Sequence, residues 1–143
     1  MVLYELAHIF YRYHSELIHS PKDLGLYSTL ENAKRAICYY NELPGFCDNR
    51  DAFSIRERYV LGEIRDCCVF EAIVYLHSAD YSFESEIELG LYAEESAAQT
   101  KLQKYCSDND SLIHATDLVF EGIVNRCLID RKQWPEGFDI FEQ

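Results

Sequence analysis

Apolar and polar positions along this chain fall into segments of two kinds. Residues 2–11, 53–61, 68–77 and 118–128 are rich in Val, Ile, Leu, Tyr and Phe. Branched and flat side chains of these types suit a pleated, half-buried surface, so the four segments read as strands. Between the first two, Leu30, Ala33, Ile37 and Tyr40 recur at helical spacing and form one apolar stripe. Ser28-x-x-Glu31 precedes the stripe as a capping box, in which the serine oxygen and the glutamate side chain satisfy N–H groups at the helix start. Pro44-Gly45 ends this helix. A second helix is expected through Ala97, Ala98, Leu102 and Tyr105, with Glu94 and Glu95 at its N-terminus, where the helix dipole favours carboxylates. Ser107-Asp108-Asn109-Asp110 stops it.

The order of elements repeats, and so do residues. Leu24-Gly25-Leu26-Tyr27 returns as Leu89-Gly90-Leu91-Tyr92, 65 positions later. Ala33 then matches Ala98, Ile37 matches Leu102, and Glu5 matches Glu71 with one residue more between them. Two copies are too few for a solenoid, so the pattern reads as a duplicated half-domain. The expected fold is α+β: tandem strand–strand–helix–strand halves, residues 1–66 and 67–143, sharing a mostly antiparallel sheet with two helices on one face. No Pro-, Gly- or Ser-rich linker divides the halves, and the length suits a single compact domain over residues 1–143.

Beyond the repeat stand Leu-Gly-Leu-Tyr-Ser from Leu24, Leu43-Pro44-Gly45-Phe46, Phe53-x-Ile55 and Trp134-Pro135-Glu136-Gly137-Phe138. These resemble a family of small, uncharacterised bacterial proteins with a G-x-Y-S helix start, an L-P-G-F after the helix, an F-x-I strand and a W-x-E-G-F ending. The resemblance spans nearly the whole chain, but its motifs are divided: the first half keeps L-P-G-F and the second keeps W-x-E-G-F. It transfers no catalytic residue. Similar small proteins occur beside bacterial polymorphic toxins and mobile elements, so the resemblance implies a role in one of those settings.

Composition narrows the function further. The formal net charge is −12, which opposes binding to nucleic acid or an anionic membrane, since both need clustered positive charge. No apolar run approaches a membrane span, and the N-terminus lacks a basic n-region, so neither a span nor a signal peptide is expected. The six cysteines show no CxxC spacing, and Cys67 and Cys68 would face opposite ways on a strand. They read as reduced thiols of a cytoplasmic protein, with no metal and no cofactor implied.

His14 with Glu16, or His114 with Asp117, has the form of an imidazole oriented by a carboxylate, as a general base requires. No GxSxG, HExxH or phosphate-binding loop accompanies either pair, and His8, His14 and His19 follow no ligand spacing. The charge distribution is more specific. Residues 1–66 carry a net charge of −2 and residues 67–143 a net charge of −10. The excess gathers in Asp80, Glu84, Glu86, Glu88, Glu94 and Glu95, with no Lys or Arg between positions 80 and 95. If Glu84 to Glu88 is extended, its three glutamates share one face. Such a row either protects a strand edge by charge or grips a basic partner. Trp134 and Phe138 either lock the tail onto the core or offer an aromatic contact.

The expectation is therefore a non-enzymatic acidic binding protein, an immunity protein that neutralises a basic, nuclease-type toxin. Its partner surface would comprise the six carboxylates with Trp134 and Phe138. A homodimeric structural or regulatory protein and a hydrolase using His114 or His14 are the alternatives.

Overall fold

A computed structural model describes residues 1–9, 11–12, 16–17 and 22–138. The chain is a mixed α+β protein. In order it forms β1 (Val2–His8), β2 (Tyr11–Arg12), β3 (Glu16–Leu17), β4 (Lys22–Tyr27), α1 (Leu30–Tyr40), a 3-10 turn (Arg50–Ala52), β5 (Phe53–Leu61), β6 (Cys68–His77), β7 (Glu84–Tyr92), α2 (Glu95–Asp108), α3 (Asp110–Ala115) and β8 (Val119–Leu128). No described helix is long and apolar enough to cross a membrane.

The chain packs as two compact units. A split unit combines Val2–Arg58 with the chain from Leu128 onward, and a central unit holds Tyr59–Cys127 with Met1. The hydrogen-bonded order is β4-β1-β5 in the first and β5-β7-β6-β8 in the second, because β5 passes from one into the other. α1 packs on β1 and β4, and α2 on β6 and β7. In the split unit Leu6, Leu24, Tyr27, Ala33, Ala36, Tyr40 and Phe46 form the core. Glu5 neutralises Arg58, which is itself buried, and accepts a further bond from Arg56 at 2.7 Å. The central unit has a smaller core of Ala72, Tyr92 and Ala98. There Gly122 leaves room for Leu102, whose Cδ2 would stand 2.8 Å from an added Cβ.

The two hairpins share one register. Tyr4 pairs with Tyr27 and Glu5 with Leu26 in β1–β4; Phe70 pairs with Tyr92 and Glu71 with Leu91 in β6–β7. One extra residue then shifts the register between Glu5 and Ala7, and again between Ala72 and Ile73. Each second strand also gains a parallel neighbour at its end. Val60 pairs with Leu91 in the central unit, and Ile129 bridges Leu26 in the split unit.

One local expectation needs correction and another an addition. The N-cap of α1 is Thr29, whose Oγ1 accepts from the Asn32 N–H at 3.0 Å, and not Ser28. Ser28 instead bonds to Asp130. Ser107 to Asp110 does stop α2, which ends at Asp108, but a third helix, α3, follows at once where two helices were expected. The Asn109 N–H donates to the Tyr105 carbonyl at 3.1 Å, while its own carbonyl accepts from Ile113 at 2.9 Å, so one residue closes α2 and opens α3.

All six cysteines are free thiols. The melting temperature should therefore be the same in reducing and air-oxidised buffer. A fall of several degrees on adding reductant would reveal a structural disulfide, whose loss typically costs about 2–5 kcal/mol.

Candidate functional site

β6 and β7 form an antiparallel hairpin in which His77 faces Glu84, Tyr75 faces Glu86 and Ile73 faces Glu88. Residues directly opposite in such a ladder project from the same face, so one face carries three glutamates, a tyrosine and a histidine. The burial of β7 alternates as the period of two requires, leaving Glu84, Glu86 and Glu88 exposed. Tyr75 donates its hydroxyl to Glu84. That bond favours the neutral phenol, and with the surrounding negative charge it pushes the Tyr75 pKa up to about 12.

His77 is buried beneath this row. Its ring lies parallel to Tyr81 at 4.4 Å, its Nδ1–H donates to the Ser78 carbonyl at 2.8 Å, and its Nε2 stands 3.5 Å from Glu121 Oε1. An imidazole beside a carboxylate has the outline of a general base. Here both ring nitrogens face protein acceptors, and Tyr81 covers one ring face. Glu121, on β8, adds a fourth exposed carboxylate. Pattern reading missed Tyr75, His77, Tyr81 and Glu121. The first two were accessible by pairing residues 68–77 with 84–92 as a hairpin.

The other proposed carboxylates lie apart from this row. Asp80 sits in the turn between β6 and β7, where its Oδ1 accepts from Ser82 Oγ at 2.8 Å, Ser78 Oγ at 2.8 Å and Ser82 N–H at 3.1 Å. The hydroxyl of Ser82, then that of Ser78, holds its pKa down at about 2, so Asp80 is charged at every physiological pH. Glu94 and Glu95 are at the far end of β7, about 30 Å along a nine-residue strand. There they line a separate hollow with Glu63, Arg65, Asp66 and Arg126. The structure thus gathers Glu84, Glu86 and Glu88 and leaves Glu94 and Glu95 outside.

Trp134 and Phe138 belong to the split unit, where the two family-like motifs interlock. The Phe138 N–H donates to the Pro44 carbonyl at 2.9 Å, and its ring packs edge-on against Phe46 at 4.8 Å. A Cβ on Gly137 would stand 2.4 Å from the Pro44 oxygen, and one on Gly45 2.5 Å from the Phe138 oxygen, so glycine is required on both sides of the joint. Tyr39 and Tyr40 donate their hydroxyls to the Pro135 and Gln133 carbonyls. Phe138 is therefore a packing residue. Trp134 keeps 43% of its surface exposed, with Lys22 Nζ 4.6 Å above its ring.

Among the histidines, His114 pairs with Asp110 at 3.1 Å and not with Asp117, and both partners are exposed. His8 is buried among Phe46, Phe53 and Phe138, and its Nε2 donates to the Asn49 carbonyl at 3.0 Å. His14 and His19 lie outside the described residues, as does the Glu16 side chain.

Asp130 seals the start of α1. Its carboxylate accepts from Ser28 N–H at 2.9 Å, Ser28 Oγ at 2.6 Å and Asn32 Nδ2 at 3.3 Å. Burial pushes its pKa up, but these bonds outweigh burial and hold it below the usual value. Asp130→Ala is expected to lower stability by about 1 kcal/mol at pH 7, as loss of a helix cap does. Because the folded pKa is the lower one, this contribution is complete above the unfolded pKa of about 4 and fades as pH falls through the folded value. Urea denaturation of both proteins from pH 7 to pH 3 checks it; a gap that stays constant to pH 3 would contradict it.

No family model, curated protein or solved structure matches the chain.

Proposed function

We propose that the chain is a non-enzymatic binding module whose acidic β6–β7 face engages a basic protein, and that its role is immunity against a nuclease-type toxin. One observation carries this reading: Glu84, Glu86 and Glu88 stand exposed in a single row, with Glu121 beside them and no Lys or Arg between positions 80 and 95. Side chains two apart on a strand are roughly 7 Å from each other, so the three like charges repel one another. A surface of one sign instead speeds encounter with an oppositely charged cleft, and nuclease substrate clefts are positive. The resemblance to small proteins encoded beside toxins points the same way.

We also infer that the chain is a tandem duplication of one strand–strand–helix–strand unit. The shared register of the two hairpins, the extra residue at the same repeat position and the parallel neighbour gained by Leu26 and by Leu91 support it. The motifs divided between the halves, L-P-G-F and W-x-E-G-F, are then two sides of one joint that only the split unit keeps.

Affinity capture from the native host, with the tagged chain as bait, tests the function. The wild type should retain a basic protein that the Glu84→Gln, Glu86→Gln, Glu88→Gln variant loses at unchanged melting temperature. Capture of the same protein by both, or of an acidic one, would refute the reading.

A further inference from the structure

α1 and α2 hold corresponding positions in the repeat, and the chain's own tail lies along the outer face of the first. Asn32 donates to Asp130, Tyr39 donates to the Pro135 carbonyl, and Lys132 Nζ stands 5.2 Å over the Tyr39 ring. The segment after β8 therefore runs along α1 from position 32 to position 39. Sixty-five residues on, these positions are Ala97 and Lys104 of α2. There Tyr92, Ser96, Ala97, Thr100, Lys101 and Lys104 line an open groove of about 400 Å³. The segment after β5, which by repeat would lie here, is placed elsewhere: Glu63, Arg65 and Asp66 line the hollow at the start of α2.

We infer that this groove is a second docking seat, which takes an extended acidic peptide segment of a partner protein as α1 takes the chain's own tail. Charge sets the ligand's chemistry. The seat on α1 offers an amide at Asn32 and a phenol at Tyr39; α2 offers Ala97 and Lys104 in their places, with Lys101 exposed between them. Two ammonium groups thus stand one helical turn apart, so carboxylates on the bound segment gain partners that the α1 seat does not supply. From Ser96 to Lys104 the helix advances about 12 Å, enough for roughly four residues of extended chain. The inference rests on the tandem correspondence and is independent of the acidic β6–β7 face. Ligands of opposite charge at the two places need not compete.

The test is an NMR titration of the isotope-labelled full chain with a nine-residue peptide of the tail's own sequence, residues 130–138, carrying Arg131→Glu and Lys132→Glu. Saturable shifts should appear at the amides of Ala97, Thr100, Lys101 and Lys104. Affinity should fall about tenfold in a Lys101→Ala, Lys104→Ala variant, since charge-assisted bonds are lost. Both positions are exposed on α2, where alanine is a good helix former, so this variant keeps the fold. The Glu84→Gln, Glu86→Gln, Glu88→Gln variant should bind the peptide as the wild type does, which separates failure of the seat from failure of the acidic face. No saturable shift at millimolar peptide, or equal binding by the lysine variant, overturns the proposal.

Discussion

Replacing Phe46 by alanine is expected to lower stability by about 3–5 kcal/mol, the cost of a large aromatic deletion in a packed core. Phe46 is fully buried, and its ring centroid lies 4.9 Å from His8, 5.0 Å from Tyr40 and 4.8 Å from Phe138, each edge-on. Such contacts add to area burial because the positive edge of one ring meets the negative face of another. The partners cannot close the gap. His8 is held by its bond to the Asn49 carbonyl, Tyr40 by its bond to Gln133, and Phe138 by its backbone bond to Pro44. The vacancy therefore persists as a cavity, which puts the cost at the upper end of the range. Urea denaturation measures it, with Phe83→Ala as a control, since Phe83 is half exposed. A loss below about 1 kcal/mol for Phe46→Ala, or equal losses for the two, would show that the ring is not the keystone of this core.

The Glu84→Gln, Glu86→Gln, Glu88→Gln variant is expected to associate with the basic partner about 10–100 times more slowly at low salt, within the range that electrostatic steering spans. Glutamine keeps the size and the hydrogen-bonding capacity of each side chain, so contacts survive while three charges go. The wild-type rate should fall steeply with added salt, because the field is screened beyond roughly 8 Å at physiological ionic strength. The variant's rate should be nearly flat. Its fold should be as stable as the wild type or slightly more so, since repulsion along β7 is relieved. Tyr75 can still donate its hydroxyl to the amide oxygen that takes the place of the Glu84 carboxylate. Stopped-flow association over a salt series reads both quantities. Equal rates and equal salt slopes would reduce the row to a solvated strand face.

Strands were legible where one chemical pressure dominated. Residues 53–61 and 68–77 read as strands and are β5 and β6, because β-branched and aromatic residues crowd both. The α1 stripe was legible too, although Leu30 is largely exposed and Ala36 takes its place in the core. Local rules failed where two residues offered the same chemistry. Ser28 and Thr29 can both cap a helix, and the choice fell to Asp130, about a hundred positions away, which occupies Ser28. α3 was illegible because Asp and Asn favour helix starts and turns alike. In the candidate site, the glutamate row followed from a period of two. The ring stack of His77 on Tyr81 did not, since Tyr81 adopts a left-handed backbone at φ 57° that few non-glycine residues take.

The split unit also sets an order of events during synthesis. Val2–Arg58 is made before the central unit, yet the start of α1 has no Asp130, Tyr39 and Tyr40 have no carbonyls to bond, and Phe46 has no Phe138 until residues 130–138 follow that unit. The central unit, apart from Met1 a single run of chain, contains its own strand and helix partners by Cys127. The half begun first is thus completed only after the central unit has been made, and the nascent chain holds the aromatic core around Phe46 unfinished until residues 128–138 follow.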